Sequence, residues 1–152
     1  MEGKVVAVNI SDKKGVTKTP ISEGKFIENF GLEDDAHGGD WHRQVSLLAE
    51  ESVDKMKDML NQKGYTDCRG IFAENLTTKG IVLYDLPVGT KMKIGETLQE
   101  VTQIGKDCHD GCAIKNQVGK CVMPREGIFT RVLKGGYIRS GDKIKIVEGN
   151  ED

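Results

Sequence analysis

Eight consecutive residues, Gly105-Lys106-Asp107-Cys108-His109-Asp110-Gly111-Cys112, gather two of the chain's four cysteines and one of its three histidines beside a lysine and two aspartates. The thiolate is the reactive form of cysteine, and small neighbours, adjacent positive charge and partial exposure favour it. Lys106, and His109 when protonated, raise the thiolate fraction of Cys108, while Asp107 and Asp110 oppose them. Such a thiolate accepts sulfane sulfur as a persulfide, or ligates a metal. Cys112 precedes Ala113-Ile114, apolar surroundings that raise a thiol pKa. Cys121, between Lys120 and Val122, is an intermediate case and a candidate resolving thiol, as is Cys112 in a reversible disulfide. A zinc reading would use Cys108, Cys112 and Cys121 with His109 or Cys68 as a fourth ligand, but no second close pair accompanies Cys108 and Cys112, so stoichiometric zinc is not expected. The bland alternative is an inert loop cysteine. Cys68 stands in a separate loop and has no expected role.

The elements that must position these groups are mostly strands. Thr97 to Gln103 leads into the cysteine segment and pairs with Val88 to Gly95 across a tight turn at Gly95-Glu96. Lys4 to Ile10, Gln44 to Leu48 and a final strand through Ile144 and Ile146 read as further strands. Helical spacing of Val53, Met56, Met59 and Leu60 predicts a core-facing helix over residues 50–62. Pro124 to Gly136 reads as a second, short helix, with proline early and glycine just past its end. Short strands divided by glycine turns, with one or two helices, predict a mainly β, small closed barrel-like fold in one domain over residues 1–152.

Three sets of polar residues could serve a ligand. His37, Trp41, His42 and Arg43 lie in a glycine-rich loop, where Arg43 and a histidine would bind an anionic group and Trp41 would anchor the loop. Arg125 and Arg131 flank Glu126-Gly127, where free backbone N–H groups at a helix start would hold an anion. Asn75, with Thr77 and Thr78, would contact a ligand or serve turn chemistry. A net charge of -2 argues against nucleic acid as a partner. No apolar run approaches a membrane span, and Met1-Glu2-Gly3-Lys4 leads straight into a strand, so the expected compartment is the cytoplasm. There, cysteines serve catalysis or metals more than structural disulfides.

Ordered segments of the chain carry a resemblance. They are Gly31-Leu32-Glu33-Asp34-Asp35-Ala36-His37-Gly38-Gly39 running into Arg43 to Leu48, then Ala73-Glu74-Asn75-Leu76-Thr77-Thr78-Lys79-Gly80-Ile81, then Val101-Thr102-Gln103 before Cys108, and finally Gly127 to Gly136 with Ser140-Gly141-Asp142. Together they resemble the MOSC domain, named after the C-terminal part of molybdenum cofactor sulfurase, over about residues 4–147. The resemblance implies a β-rich barrel and a cysteine after the Val-Thr-Gln strand that carries sulfur or ligates the molybdenum of a pterin-based cofactor. Cys108 matches that position, with Lys106 and His109 tuning it. His37, His42, Arg43, Asn75, Arg125 and Arg131 are the expected cofactor contacts. Where many members place arginine and proline before the cysteine, this chain has Gly105-Lys106-Asp107, and Cys112 and Cys121 are additional. The pyridoxal phosphate module of the large sulfurases has no room here, so sulfur would come from a partner cysteine desulfurase. A molybdoenzyme or cofactor-biosynthesis protein would be the other partner. Two alternatives stand beside the sulfur carrier: a non-catalytic cofactor-binding module, and a zinc- or disulfide-stabilised adaptor.

Overall fold

The computed structural model describes residues 2–14, 16–105 and 122–147. β1 (Glu2–Ile10) alternates exposed Glu2 and Lys4 with buried Gly3 and Val5, the period of two that lets one strand face apolar core and water together. β2 (Thr19–Ile21), β3 (Glu23–Ile27) and β4 (Gly31–Leu32) follow, and β5 (Val45–Ala49) is buried along its whole length. After two helical turns come β6 (Leu76–Lys79), the hairpin of β7 (Lys91–Ile94) and β8 (Thr97–Ile104), then β9 (Ile128–Lys134), β10 (Gly136–Arg139) and β11 (Lys143–Val147). The sheet order β11-β7-β8-β9-β5-β6-β1 closes on itself through β11–β1 pairing, which makes a seven-stranded barrel and removes the open edges a flat sheet would expose. All its pairings are antiparallel except β5–β6. A small sheet, β10-β3-β4, lies beside the barrel and adds Phe26, Leu32 and Ile138 to its core.

Two apolar clusters share the wall. Val5, Leu47, Leu76, Met92, Val101 and Ile128 belong to the barrel core. Leu48, Val53, Leu60, Phe72, Met123 and Phe129 form a second cluster on the outer side of β5 and β9. The expected helix over residues 50–62 is interrupted. α1 (Glu50–Asp54) and α2 (Lys57–Gln62) are separated at Lys55-Met56, where Met56 leaves helical geometry (φ -103°, ψ 5°). The apolar stripe nevertheless works as expected: Val53 and Leu60 are buried, and Met56 and Met59 pack against the same cluster. The second expected helix is a correction. Only Met123–Glu126 (α3) is helical, and Ile128–Lys134 is a central strand between β5 and β8. Ile128 and Val132 enter the barrel core while Phe129 enters the outer cluster, so both faces are buried and the alternation that marks a strand is erased.

Buried polar groups pin the outer wall. Glu74 is fully enclosed and accepts the N–H groups of Gly70 (3.1 Å) and Phe72 (3.2 Å) and the hydroxyl of Thr77 (2.8 Å). Asn9 donates to the Glu74 carbonyl at 3.1 Å and to Thr77 Oγ1 at 3.0 Å. Gly70 has φ +77°, and a Cβ there would meet the Lys18 carbonyl oxygen at 2.4 Å, so only glycine fits the bend that delivers its N–H. Burial pushes the Glu74 carboxyl up from 4.5 to about 7, the hydrogen bonds opposing it only in part. A folded pKa above the unfolded one means the native state holds the extra proton. The resulting stability is complete below about pH 4.5 and is lost as pH rises through about 7. The full span is on the order of 3 kcal/mol. Thermal melts between about pH 5 and 8 should therefore show a falling Tm, and Glu74→Gln should flatten that slope. An unchanged slope in the variant would assign the pH dependence elsewhere.

Candidate functional site at the end of β8

β8 stops at Gly105, whose φ of +68° and closeness to the Pro124 carbonyl (a Cβ would meet its oxygen at 2.3 Å) require glycine. Its N–H donates to Gly127 O at 2.7 Å, which ties the end of β8 to the start of β9. A register shift between Val101 and Gln103 places a bulge at Thr102 and sets Gln103 opposite Phe129. The Thr102 hydroxyl lies against the carbonyls of His42 and, at 3.1 Å, Phe129, which fastens the loop before β5 to this bulge.

On that base a polar shelf is assembled. Gln103 Nε2 donates to Gly105 O at 2.8 Å, and this fixes the amide so that Oε1 faces the other way. There Oε1 meets His42 Nε2 at 2.9 Å and accepts from Arg43 Nε at 3.1 Å. The Arg43 guanidinium stands 5.3 Å above the Phe129 ring, a cation–π contact that holds its plane. Its two terminal nitrogens make no hydrogen bond among the described residues. Next along β9, Arg131 donates to Asn29 Oδ1 at 2.6 Å. Gln44 donates to the same oxygen at 3.1 Å and accepts the Val132 N–H at 2.9 Å. The terminal nitrogens of Arg43, a guanidinium fixed by Gln103 and Phe129 beside the His42 imidazole, suit an oxygen-rich anion. The residues present therefore fit the phosphate or metal-oxide portion of a molybdenum cofactor.

Of the expected site residues, His42 and Arg43 come together directly, and Arg131 lies on the same strand as the Phe129 that supports Arg43. His37 takes another place. Its N–H donates to Asp35 Oδ2 at 3.1 Å, its Nδ1 is 3.7 Å from the same oxygen, and its carbonyl accepts the Trp41 indole at 2.8 Å. Trp41 thus anchors the loop from within, with Lys14 Nζ 4.9 Å above its ring. Asn75 is buried in the wall, where Oδ1 accepts the Ser46 N–H at 3.0 Å and Nδ2 donates to Asn9 O at 3.3 Å. Arg125 is exposed on α3, and the free N–H groups expected beside it are used within the turn: Arg125 and Glu126 donate to Val122 O, and Gly127 donates to Met123 O. Burial alone would raise the Glu126 carboxyl, but bonds from Lys55 (2.9 Å) and Ser52 (2.7 Å) outweigh it and hold it below the usual range.

Lys106, Cys108, His109, Cys112 and Cys121 lie outside the described residues. Cys68 is half-buried against the outer cluster, and burial, then the Asp67 and Glu74 charges, push its thiol up, which leaves it a weak nucleophile. Among the described residues no group of three His, Cys, Asp or Glu side chains converges as a metal set, and no helix is long and apolar enough to cross a membrane. Gln103, Thr102, Gln44 and Asn29 escaped the sequence reading. Gln103 had one signal: a long polar amide closing a strand immediately before the cysteine segment.

Solved structures repeat this architecture. The YUAD protein from Bacillus subtilis superposes with a TM-score of 0.68 at 16% identity, covering 96% of each chain. YiiM from Geobacillus stearothermophilus gives 0.69 at 22% identity over 96% of this chain and 75% of that one. YiiM from Escherichia coli gives 0.71 at 19% identity over 100% and 72%. At these identities the likeness concerns the fold. No curated protein matches in sequence. Residues 33–145, which include His42, Arg43, Gln103 and Arg131 and the segment that follows Gly105, match the sequence model of the MOSC domain. The chain belongs to the MOSC domain family.

Proposed function

We propose that this chain is a sulfur-carrier domain of molybdenum-cofactor or metal–sulfur metabolism, with Cys108 as the loaded thiol. One observation carries the reading: the anion-ready shelf of Arg43, His42 and Gln103 is built on the last residues of β8, and Cys108 follows Gly105 by three residues in sequence. In the loading step the Cys108 thiolate attacks the outer sulfur of a persulfide on a partner cysteine desulfurase. A new S–S bond forms on Cys108, the donor's S–S bond breaks, and the donor cysteine leaves as thiolate, with no net oxidation. Lys106 and Arg43 favour the anionic forms on this side, and His109 exchanges the proton. When bound, the pterin cofactor would supply a molybdenum centre that takes sulfur as a ligand. Arg43, Arg131 and His42 would hold its anionic groups, and a molybdoenzyme or cofactor-biosynthesis protein would receive it.

Alkylation rates test the assignment. Near neutral pH, Cys108 is expected to react fastest with iodoacetamide across the four single-serine variants, and Cys68 slowly. Arg43→Met should slow Cys108 about threefold or more by removing a thiolate-stabilising charge, with little change in Tm. Dominance of Cys112 or Cys121, or a rate indifferent to Arg43, would sink the assignment.

A further inference from the structure

Residues of α1, α2, β6 and the loop at 66–69 enclose a cavity of about 220 Å³ that shares no residue with the shelf. Its better covered lining is Val53 and Thr77, both buried, and half-buried Cys68. The Thr77 hydroxyl turns into the wall, donating to Glu74 Oε2 at 2.8 Å and accepting from Asn9 Nδ2 at 3.0 Å. Thr77 thus joins the enclosed Glu74 carboxyl to the cavity.

Two observations give this cavity a sign. On its exposed lining, Arg69 is spent on Asp67, through Nε to Oδ1 at 2.9 Å and Nη2 to Oδ2 at 2.7 Å. Glu50 and Asp54 on α1 and Lys57 on α2 complete that lining, and none of the three makes a salt bridge or side-chain hydrogen bond among the described residues. Two uncommitted carboxylates therefore face one uncommitted ammonium. The Cys68 thiol reports the same imbalance from within. Burial pushes it up first, then Asp67 and Glu74, each acting more strongly than Lys57, which opposes them.

We infer that this cavity binds a small organic cation, a primary ammonium on a short apolar body, with Glu74 as its buried counter-charge. The volume lies below the roughly 300–1,000 Å³ of drug-sized sites, which suits a molecule of amino-acid size. Val53 and Cys68 favour a carbon body, and no three His, Cys, Asp or Glu side chains among the described residues converge as a metal set. An anion would meet Glu50, Asp54 and the Glu74 charge, with Lys57 as its one uncommitted partner. A bound cation favours ionised Glu74, whose carboxyl otherwise keeps its proton up to about pH 7, so binding tightens as pH rises through that value. The other charged groups lining the cavity are Asp, Glu, Lys and Arg, types that do not ordinarily titrate there, and no histidine lines it. Lys18, paired with Asp35, is the cation whose charge faces Glu74 from the segment before β2. The inference is independent of the sulfur reading, and its failure would leave that reading standing.

The probe is n-butylamine, protonated throughout, titrated into the ¹⁵N-labelled full chain at about pH 6 and pH 8 and followed by amide NMR signals. Butyrate, which has the same apolar body and the opposite charge, and Mg²⁺, a cation without that body, are the comparisons. Saturable shifts are expected at Val53, Cys68, Arg69 and Thr77 with n-butylamine, and neither comparison should match them. The dissociation constant should fall at least about twofold from the lower pH to the higher. Asp54→Asn, at an exposed position with no side-chain bond to lose, should weaken binding about threefold. Asp12→Asn, an exposed position outside the cavity with the same charge change, should leave it unaltered. Absent or unsaturable shifts at these residues, or binding of butyrate or Mg²⁺ as tight as that of n-butylamine, would overturn the inference. So would equal affinity at the two pH values, or an equal loss in Asp12→Asn.

Discussion

Asp35→Ala is expected to lower Tm by on the order of 10 °C. The Asp35 and Lys18 side chains are both inaccessible to water, and Lys18 Nζ lies 2.8 Å from Asp35 Oδ1. Removing one partner of a buried pair leaves the other as an uncompensated charge, a loss of about 3–5 kcal/mol. At this chain length each kcal/mol corresponds to roughly 2–4 °C. Asp35 also accepts the N–H groups of Ser11 (3.0 Å) and His37 (3.1 Å), so its loss would free the loop that delivers His42 and Arg43 to the shelf. Burial alone would raise its carboxyl, but hydrogen bonds from His37 and Lys18 outweigh it and hold Asp35 well below the usual carboxylate range. Its folded pKa is thus below the unfolded value. The stability it contributes is present above about pH 4 and is lost only as pH falls further, a window separate from that of Glu74. The double variant Asp35→Leu/Lys18→Met should recover part of the loss, because the orphaned charge is gone. A drop of only a degree or two in Asp35→Ala would show that water reaches Lys18.

The barrel was legible where one face of a strand meets water. Lys143 and Lys145 alternate with Ile144 and Ile146, and Lys93 alternates with Met92 and Ile94, so period and facing could be read directly. It was illegible where both faces are covered. In β9 the apolar Ile128, Phe129, Val132 and Leu133 fit a helical stripe as well as a strand; Pro124 does open the short α3, but Gly135-Gly136 supplied a false end that carried the helix through the strand. Only the pairing with β5 and β8, distant in sequence, decides the matter. The interruption of the helix at Lys55-Met56 had no local marker either, since no glycine or proline lies there. At the site, Arg43 and His42 stood out because charged groups in a glycine-rich loop suggest a ligand. Their organiser, Gln103, is 60 residues further along, a distance over which composition says nothing. The Lys18–Asp35 pair, 17 residues apart, was hidden for the same reason, and a lysine between Thr17 and Thr19 reads as surface.

Cys108→Ser is expected to abolish sulfur loading, and this is the largest effect the account predicts for any single change. The other thiols are expected to be no equal substitute: Cys68 is a weakened nucleophile, Cys112 is followed by apolar Ala113-Ile114, and Cys121, between Lys120 and Val122, is the intermediate case expected to resolve rather than to load. Loss of the nucleophile removes the S–S bond-forming step itself, so it should not be rescued by higher donor concentration or longer incubation. Arg43→Met, by contrast, should slow loading and leave its end point unchanged, because it alters the thiolate fraction and not the sulfur that attacks. Cys68→Ser should load like the wild type. The most direct measurement is intact-mass spectrometry of the full chain after incubation with a cysteine desulfurase and cysteine, before and after reduction. The account predicts a gain of one sulfur atom that dithiothreitol removes, that is absent in Cys108→Ser and that persists in Cys68→Ser. A wild-type mass that does not change under conditions where the desulfurase is active, or a gain that survives in Cys108→Ser, would contradict it.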